Sequence, residues 1–172
     1  MSVTYDSIAN TTLSTSAADI TFTGIPGTYT DLVIVVFARS LATETQVAGF
    51  IRVGNGSVDT SSNYSRTRLL GNGSAASSAR ADNISNIPFD SITAASAATG
   101  VFSTTIIQIN NYSNTTTNKT FLFRSNEPGT FLTAQVGLWR STSAINQVRI
   151  YGDNSANLAA GTSVSLYGIR AE

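Results

Sequence analysis

The sequence predicts an all-β fold, an antiparallel β-sandwich of jelly-roll-like build. Three observations predict it. Thr, Val, Ile, Phe and Tyr recur throughout, and branched or aromatic side chains fit a pleated, half-buried surface. Apolar and polar residues alternate with period two over many short segments, each bounded by Gly, Pro, Asn, Asp or Ser. No segment keeps a helical apolar period for more than two turns. Nine or ten strands at this spacing fit two packed sheets.

The elements follow in order. Residues 1–17 read as an arm or edge strand, and 18–172 as one sandwich domain. Ala18 to Thr23 alternates, with Ile20 and Phe22 on one face, and Gly24-Ile25-Pro26-Gly27 then turns the chain. Asp31 to Arg39 is a continuous apolar run, the best candidate for a central buried strand. Val47 to Val53 alternates and ends at Gly54-Asn55-Gly56. Asn63 to Leu70 places Tyr64, Arg66, Arg68 and Leu70 on one face. Gly71-Asn72-Gly73 follows as a hairpin signal, with Ser74 to Asn83 as the return strand.

Ile84 to Ala98 supports two readings, a helical turn or a close contact lined by Ala94, Ala95, Ala97 and Ala98. Val101 to Ile109, Thr120 to Ser125, Thr130 to Trp139, Ile145 to Tyr151 and Thr162 to Ile169 read as strands. The predicted core is Ile20, Phe22, Val33, Val35, Ile51, Ile106, Phe121, Phe123, Val136, Ile150 and Leu166.

Composition excludes several chemistries. The chain of 172 residues has no Cys, no His and zero net charge, with 12% charged residues. A disulfide scaffold, a Cys or His metal site and a histidine triad are therefore out. No basic field exists to hold nucleic acid by its phosphates. Lys119 is the single lysine, the lone candidate for Schiff-base or phosphate chemistry. The carboxylates fall mostly in turns, where Asp bonds nearby amides. Neither a Gly-x-Ser-x-Gly elbow nor a phosphate-binding Gly-Lys-Ser/Thr loop occurs. The reading is a protein that is not an enzyme and needs no cofactor. Asp153, Asn154 and Ser155 offer oxygens to a structural calcium ion, though without spaced acidic ligands.

Ser, Thr and Asn number 23, 24 and 14, so the surface is hydroxyl- and amide-rich rather than ionic. Charge repulsion then opposes self-association little. The start lacks a signal peptide's basic and apolar parts, and no apolar block is long enough to span a bilayer. Synthesis in a cytosol is expected. Tyr64, Arg66, Arg68, Trp139 and Arg140 form the candidate interface, because Tyr, Trp and Arg concentrate at binding hot spots. The competing reading has Trp139 closing the core and the arginines covering its edges. Arg66 and Arg68, on one face of one strand, need an acidic or carbonyl partner in either case.

Ile20-Thr21-Phe22-Thr23-Gly24-Ile25-Pro26 with Tyr29-Thr30-Asp31-Leu32-Val33 resembles the opening of small structural proteins of tailed bacteriophages, cyanophages among them. Asn63-Tyr64-Ser65-Arg66-Thr67-Arg68-Leu69 with Gly71-Asn72-Gly73-Ser74 resembles their second hallmark, and Val164-Ser165-Leu166-Tyr167-Gly168-Ile169 is similar to their closing strand. The resemblance implies a jelly-roll-like sandwich, often trimeric, in a head decoration (cement) protein or a tail fibre. Single-domain length favours the head. The expected partners are further copies of the chain and the major capsid protein, on the outer surface of the virion head, with Met1 to Thr15 as tether. The alternative is a tail fibre, tailspike or adaptor that holds a host glycan through Tyr64, Trp139 and Asn-rich loops. A carbohydrate-cleaving domain is disfavoured by the scarcity of carboxylates.

Overall fold

Period-two patterning becomes strand almost everywhere in the computed structural model, which describes residues 5–153 and 156–170. The chain runs through β1 (Tyr5–Thr12), β2 (Asp19–Phe22), β3 (Asp31–Ala38), β4 (Gln46–Val47), β5 (Gly49–Asn55), β6 (Ser57–Val58), β7 (Tyr64–Gly71) and β8 (Ala76–Ile84). It continues through β9 (Ile87–Pro88), β10 (Ile92–Thr93), β11 (Ser103–Asn110), β12 (Lys119–Glu127), β13 (Phe131–Trp139), β14 (Gln147–Gly152) and β15 (Ser163–Ile169). No helix occurs among the described residues.

The large sheet has eight strands in the order β1-β15-β3-β11-β12-β13-β7-β8. The small sheet has the order β2-β14-β5-β6, with β9 also on β5, and β4 pairs with β10 alone. The fold is an all-β antiparallel sandwich. Residues 5–12 of the expected arm form the edge strand β1, paired with β15. The other edge of the large sheet is β8, the weak return strand, held to β7 by the hairpin at Gly71-Asn72-Gly73. There Asn72 Oδ1 accepts the N–H groups of Ser74 and Ala75, and Gly73 takes φ +84°.

The core lies between the sheets. Leu32, Ile34 and Val36 of β3 point into it, toward Ile20, Phe22, Ile51, Val53, Val148 and Ile150 of the small sheet. Phe121, Phe123, Ile107, Ile109 and Leu166 complete the large-sheet side. Four predicted core residues point away from the small sheet: Val35, Ile106 and Val136 are corrected, while Val33 is buried on that outer side. In β3 both faces are apolar, so the sequence carries no phase. In β11, Ile106 and Ile107 compete, and the register takes Ile107 inward. In β13 the inward row is Thr133, Gln135, Gly137 and Trp139, so Val136 falls outside and is 50% exposed. Val33 is shielded but lies on the same outer face as Val35.

The ambiguous stretch 84–98 contains β9, β10 and a tight turn rather than a helix. Arg39 holds the turn by donating to the carbonyls of Ala95, Ala97, Ala98 and Val101. The segment around Tyr29 and the closing strand β15 meet in space. The Tyr29 ring lies on Gly168, where a Cβ would stand 2.3 Å from the ring, and the Arg170 guanidinium covers that ring at 4.9 Å. Any side chain at 168 displaces Tyr29.

Candidate interaction surfaces

Tyr64 and Trp139, expected at an interface, are corrected: they are 0% and 3% exposed and belong to the core. They are neighbours across β7 and β13, with stacked rings 6.4 Å apart. The Tyr64 hydroxyl donates to the Val53 or Asp59 carbonyl and accepts from the Val53 N–H, and burial pushes its pKa up. Trp139 Nε1 donates to Asp59 at 2.8 Å. Burial would raise the Asp59 pKa. Hydrogen bonds from the Ser61 hydroxyl, Trp139, Asn63 and the Ser61 N–H outweigh it and hold the carboxyl at about 2. This loop therefore anchors one end of the large sheet.

The arginine pair finds the acidic partner its spacing demands, inside the chain. Arg66 and Arg68 reach Asp90 Oδ1 at 2.7 and 2.8 Å, and the Asp90 side chain is 8% exposed. Asp90 sits at φ +64°, and Gln135 joins the cluster by accepting from Arg66 and donating to the Pro88 carbonyl. These two arginines are therefore engaged within the fold. Arg140 is likewise a staple, donating to Asn83 and to the carbonyls of Ser62 and Tyr64. Lys119 is fully buried, its Nζ donating to the carbonyls of Thr117 and Thr142, and burial lowers its pKa. Of the calcium candidates Asp153 is described, while Asn154 and Ser155 lie outside the described residues. No group of three or more metal-binding acidic side chains occurs among the described residues.

The exposed apolar surface is concentrated elsewhere. Seven large apolar side chains are exposed among the described residues, and six of them lie on the outer face of the large sheet. They are Tyr5, Phe37, Leu69, Leu122, Leu132 and Val136, and Leu41 is the exception. Pairing aligns Val35, Ile106, Arg124, Ala134 and Leu69 in one cross-strand row, and Val33, Gln108, Leu122, Val136 and Thr67 in the next. Between them runs a groove of about 580 Å³. Its charges are few. Arg80 pairs with Asp82 at the β8 edge, and Arg124 has no ion pair among the described residues. The sequence carried a signal for this face: Phe121-Leu122-Phe123 is apolar on both sides of its strand, the mark of a sheet covered on both faces.

The outer face of the small sheet is different. Arg149 lies directly opposite Arg52, and Tyr151 opposite Phe50. The two guanidinium carbons stand 5.0 and 5.3 Å from the centroid of the Tyr151 ring, and the Phe50 ring is 5.3 Å from it. These residues line a cleft of about 510 Å³ with Asn86 and Asp153. Four residues from two strands were separate in the sequence, and only the β5–β14 register assembles them.

No protein-family model matches this chain, and no curated protein does. Among solved structures it is similar to a mutant alginate lyase Aly36B in complex with alginate tetrasaccharide. That match has TM-score 0.32 and 10% identity, over 95% of this chain and 81% of the other. It is also similar to Scytalido-glutamic peptidase with a peptide-based transition-state analogue, with TM-score 0.29 and 12% identity, over 91% and 66% of the two chains.

Proposed function

We propose that this chain is a structural subunit of a tailed-phage virion, a head decoration protein that associates with copies of itself and bridges neighbouring major capsid subunits. The observation that carries the assembly part is the outer face of the large sheet, which gathers six of the seven exposed large apolar side chains among the described residues. Exposed apolar side chains gathered on one face mark an interaction surface. The virion context comes from the three sequence blocks described above.

The occupant of that face is a further copy of the chain. From β3 to β8 the face spans six strands of eight or nine residues. At standard strand spacing and rise its area is about 700 Å². That approaches the ~800 Å² per partner of a stable protein interface. Closed symmetry would cover this face and shorten the exposed edges at β1 and β8, and the resemblance favours three copies. The tether expected from Met1 to Thr15 changes form: residues 5–12 are already paired with β15. A capsid strand would therefore add to the free side of β1. Arg66 and Arg68, both held by Asp90, are not offered to the capsid. The action is mechanical, many modest contacts resisting internal pressure together.

The tail reading loses its two aromatic sugar contacts, because Tyr64 and Trp139 are buried, and keeps the Asn-rich loops. Particles lacking the protein should still adsorb to cells but lose their genome on heating or osmotic shock. Normal heat resistance together with lost adsorption would overturn the head assignment in favour of the tail. Light scattering after size exclusion should give a mass near three times 18.0 kDa, and a monomer at high concentration would overturn self-assembly.

A further inference from the structure

We infer that the outer face of the small sheet binds a sugar carrying a carboxylate. This goes beyond the assembly reading and stands without it. The argument begins with register. Like charges directly opposite one another destabilise a strand pair, yet Arg52 and Arg149 occupy such a position. An oxyanion between the two planar forks converts that repulsion into charge-assisted hydrogen bonds.

The charge inventory leaves room for it. Arg149 pairs with Asp19 at 2.9 Å, and Asp19 also accepts from the Thr21 hydroxyl. Arg149 Nε is buried without a partner. Arg52 donates to the Ser85 carbonyl at 2.9 Å, and no carboxylate lies within ion-pair distance of it among the described residues. Tyr151 holds both guanidinium groups at 5.0 to 5.3 Å, so the forks are oriented before any ligand arrives.

The same cleft selects a polyhydroxylated ligand over a bare carboxylate. Arginine only donates, an ionised carboxylate only accepts, and an amide does both. Asn86 lines the cleft beside the arginines. A sugar acid brings an anion for the forks and a hydroxyl donor for the Asn86 side-chain carbonyl, while its C–H face meets Phe50. The volume of about 510 Å³ lies in the range of small-molecule sites, about 300–1,000 Å³.

Nitrogen-15 NMR titrations of the intact protein with glucuronate, glucose and acetate test this. Glucuronate should shift the amides of Phe50, Arg52, Arg149 and Tyr151, and should bind about tenfold more tightly than glucose or acetate. Arg52→Gln should weaken glucuronate about tenfold, and Arg52→Lys should weaken it too because the charge stays but the fork is lost. Neither should alter the mass in solution. The inference is overturned by an absence of shifts at these residues, by glucose or acetate binding equally well, or by unchanged glucuronate affinity in both variants. The particle assay above does not involve these residues, so either reading can fail alone.

Discussion

On the outer face of the large sheet, Leu69, Leu122, Leu132 and Val136 stand half-exposed or more around one lone cation, Arg124. On the outer face of the small sheet, four half-buried side chains form a square of two rings and two guanidinium groups. Both faces are antiparallel ladders whose inner rows fill one core. Their outer rows differ in what covering them gains. Apolar area gains about 25 cal/mol per Å² from any well-fitting apolar partner, which suits extended contact with a like surface. Paired cations gain only from an anion in the right geometry, which suits a small, specific ligand. One sandwich thus presents an apolar face and a paired-cation face, back to back.

The largest expected effect breaks the first face and leaves the second intact. Leu122→Glu together with Val136→Glu places two carboxylates in neighbouring positions of the apolar row. Burying them unpaired costs several kcal/mol, so association should weaken by roughly a thousandfold or more. Light scattering should then report 18.0 kDa. The glucuronate shifts at Arg52 and Arg149 should persist. An undiminished oligomer would show that the copies meet elsewhere.

The next effect separates two arginine pairs that look alike in sequence. Arg66 and Arg68 turn inward onto Asp90, whose side chain is 8% exposed. Asp90→Ala leaves two partly buried guanidinium groups without their carboxylate and should cost about 2–3 kcal/mol in denaturant unfolding. A loss below about 1 kcal/mol would mean that these arginines reach solvent and are held no more strongly than a surface pair.

A smaller effect concerns acid. The Asp59 carboxyl, at about 2 in the fold, has a value near 4 when unfolded. Its contribution is therefore fully present above about pH 4 and disappears as pH falls through 2. Between pH 6 and pH 2.5 the wild type should lose on the order of 1 kcal/mol more than Asp59→Asn, after allowance for solvent screening. Equal losses in both proteins would remove Asp59 as the acid-sensitive anchor of the loop before β7. The loop is bonded to β5 as well, through the Asp59 N–H on the Val53 carbonyl, so native-state hydrogen exchange in acid should loosen β5 together with β7 and β13.

Most strands were legible because alternation and turn residues agree locally, as at Gly71-Asn72-Gly73 and along β12. The inward phase was legible only where one face is polar. It failed at Val35 and Ile106, in strands with apolar residues on both sides, and at Val136, where the apolar row Leu132-Ala134-Val136-Leu138 faces out and Thr133 and Gln135 face in; both failures point to the outer apolar face. Tyr64 and Trp139 have the composition of a hot spot, but the bonds of their polar tips to Asp59 let the rings enter the core. That Arg66 and Arg68 needed an acid was legible. That the acid is Asp90 was not, because it is 22 or more positions away and is placed by the short β9. The cleft was hidden for a related reason: Arg52 and Arg149 become neighbours only through the β5–β14 pairing.

The smallest expected effect sharpens the comparison most finely. Asp19 is a half-exposed partner of Arg149, with side-chain exposures of 28% and 33%. Asp19→Asn should cost only about 0–1 kcal/mol of stability, as for other solvent-exposed ion pairs. In the cleft its effect has the opposite sign. Asp19 competes with an incoming carboxylate for the same guanidinium, so its removal leaves both arginines without an acidic neighbour within ion-pair distance among the described residues. Glucuronate should then bind a few-fold more tightly, about 0.5–1 kcal/mol, and the gain should fade at high salt. Glucose affinity should stay unchanged, because the neutral sugar has no charge to offer Arg149. Weaker glucuronate binding in Asp19→Asn would mean that Asp19 orients the fork rather than competing for it. The anion would then have to be held by Arg52 alone.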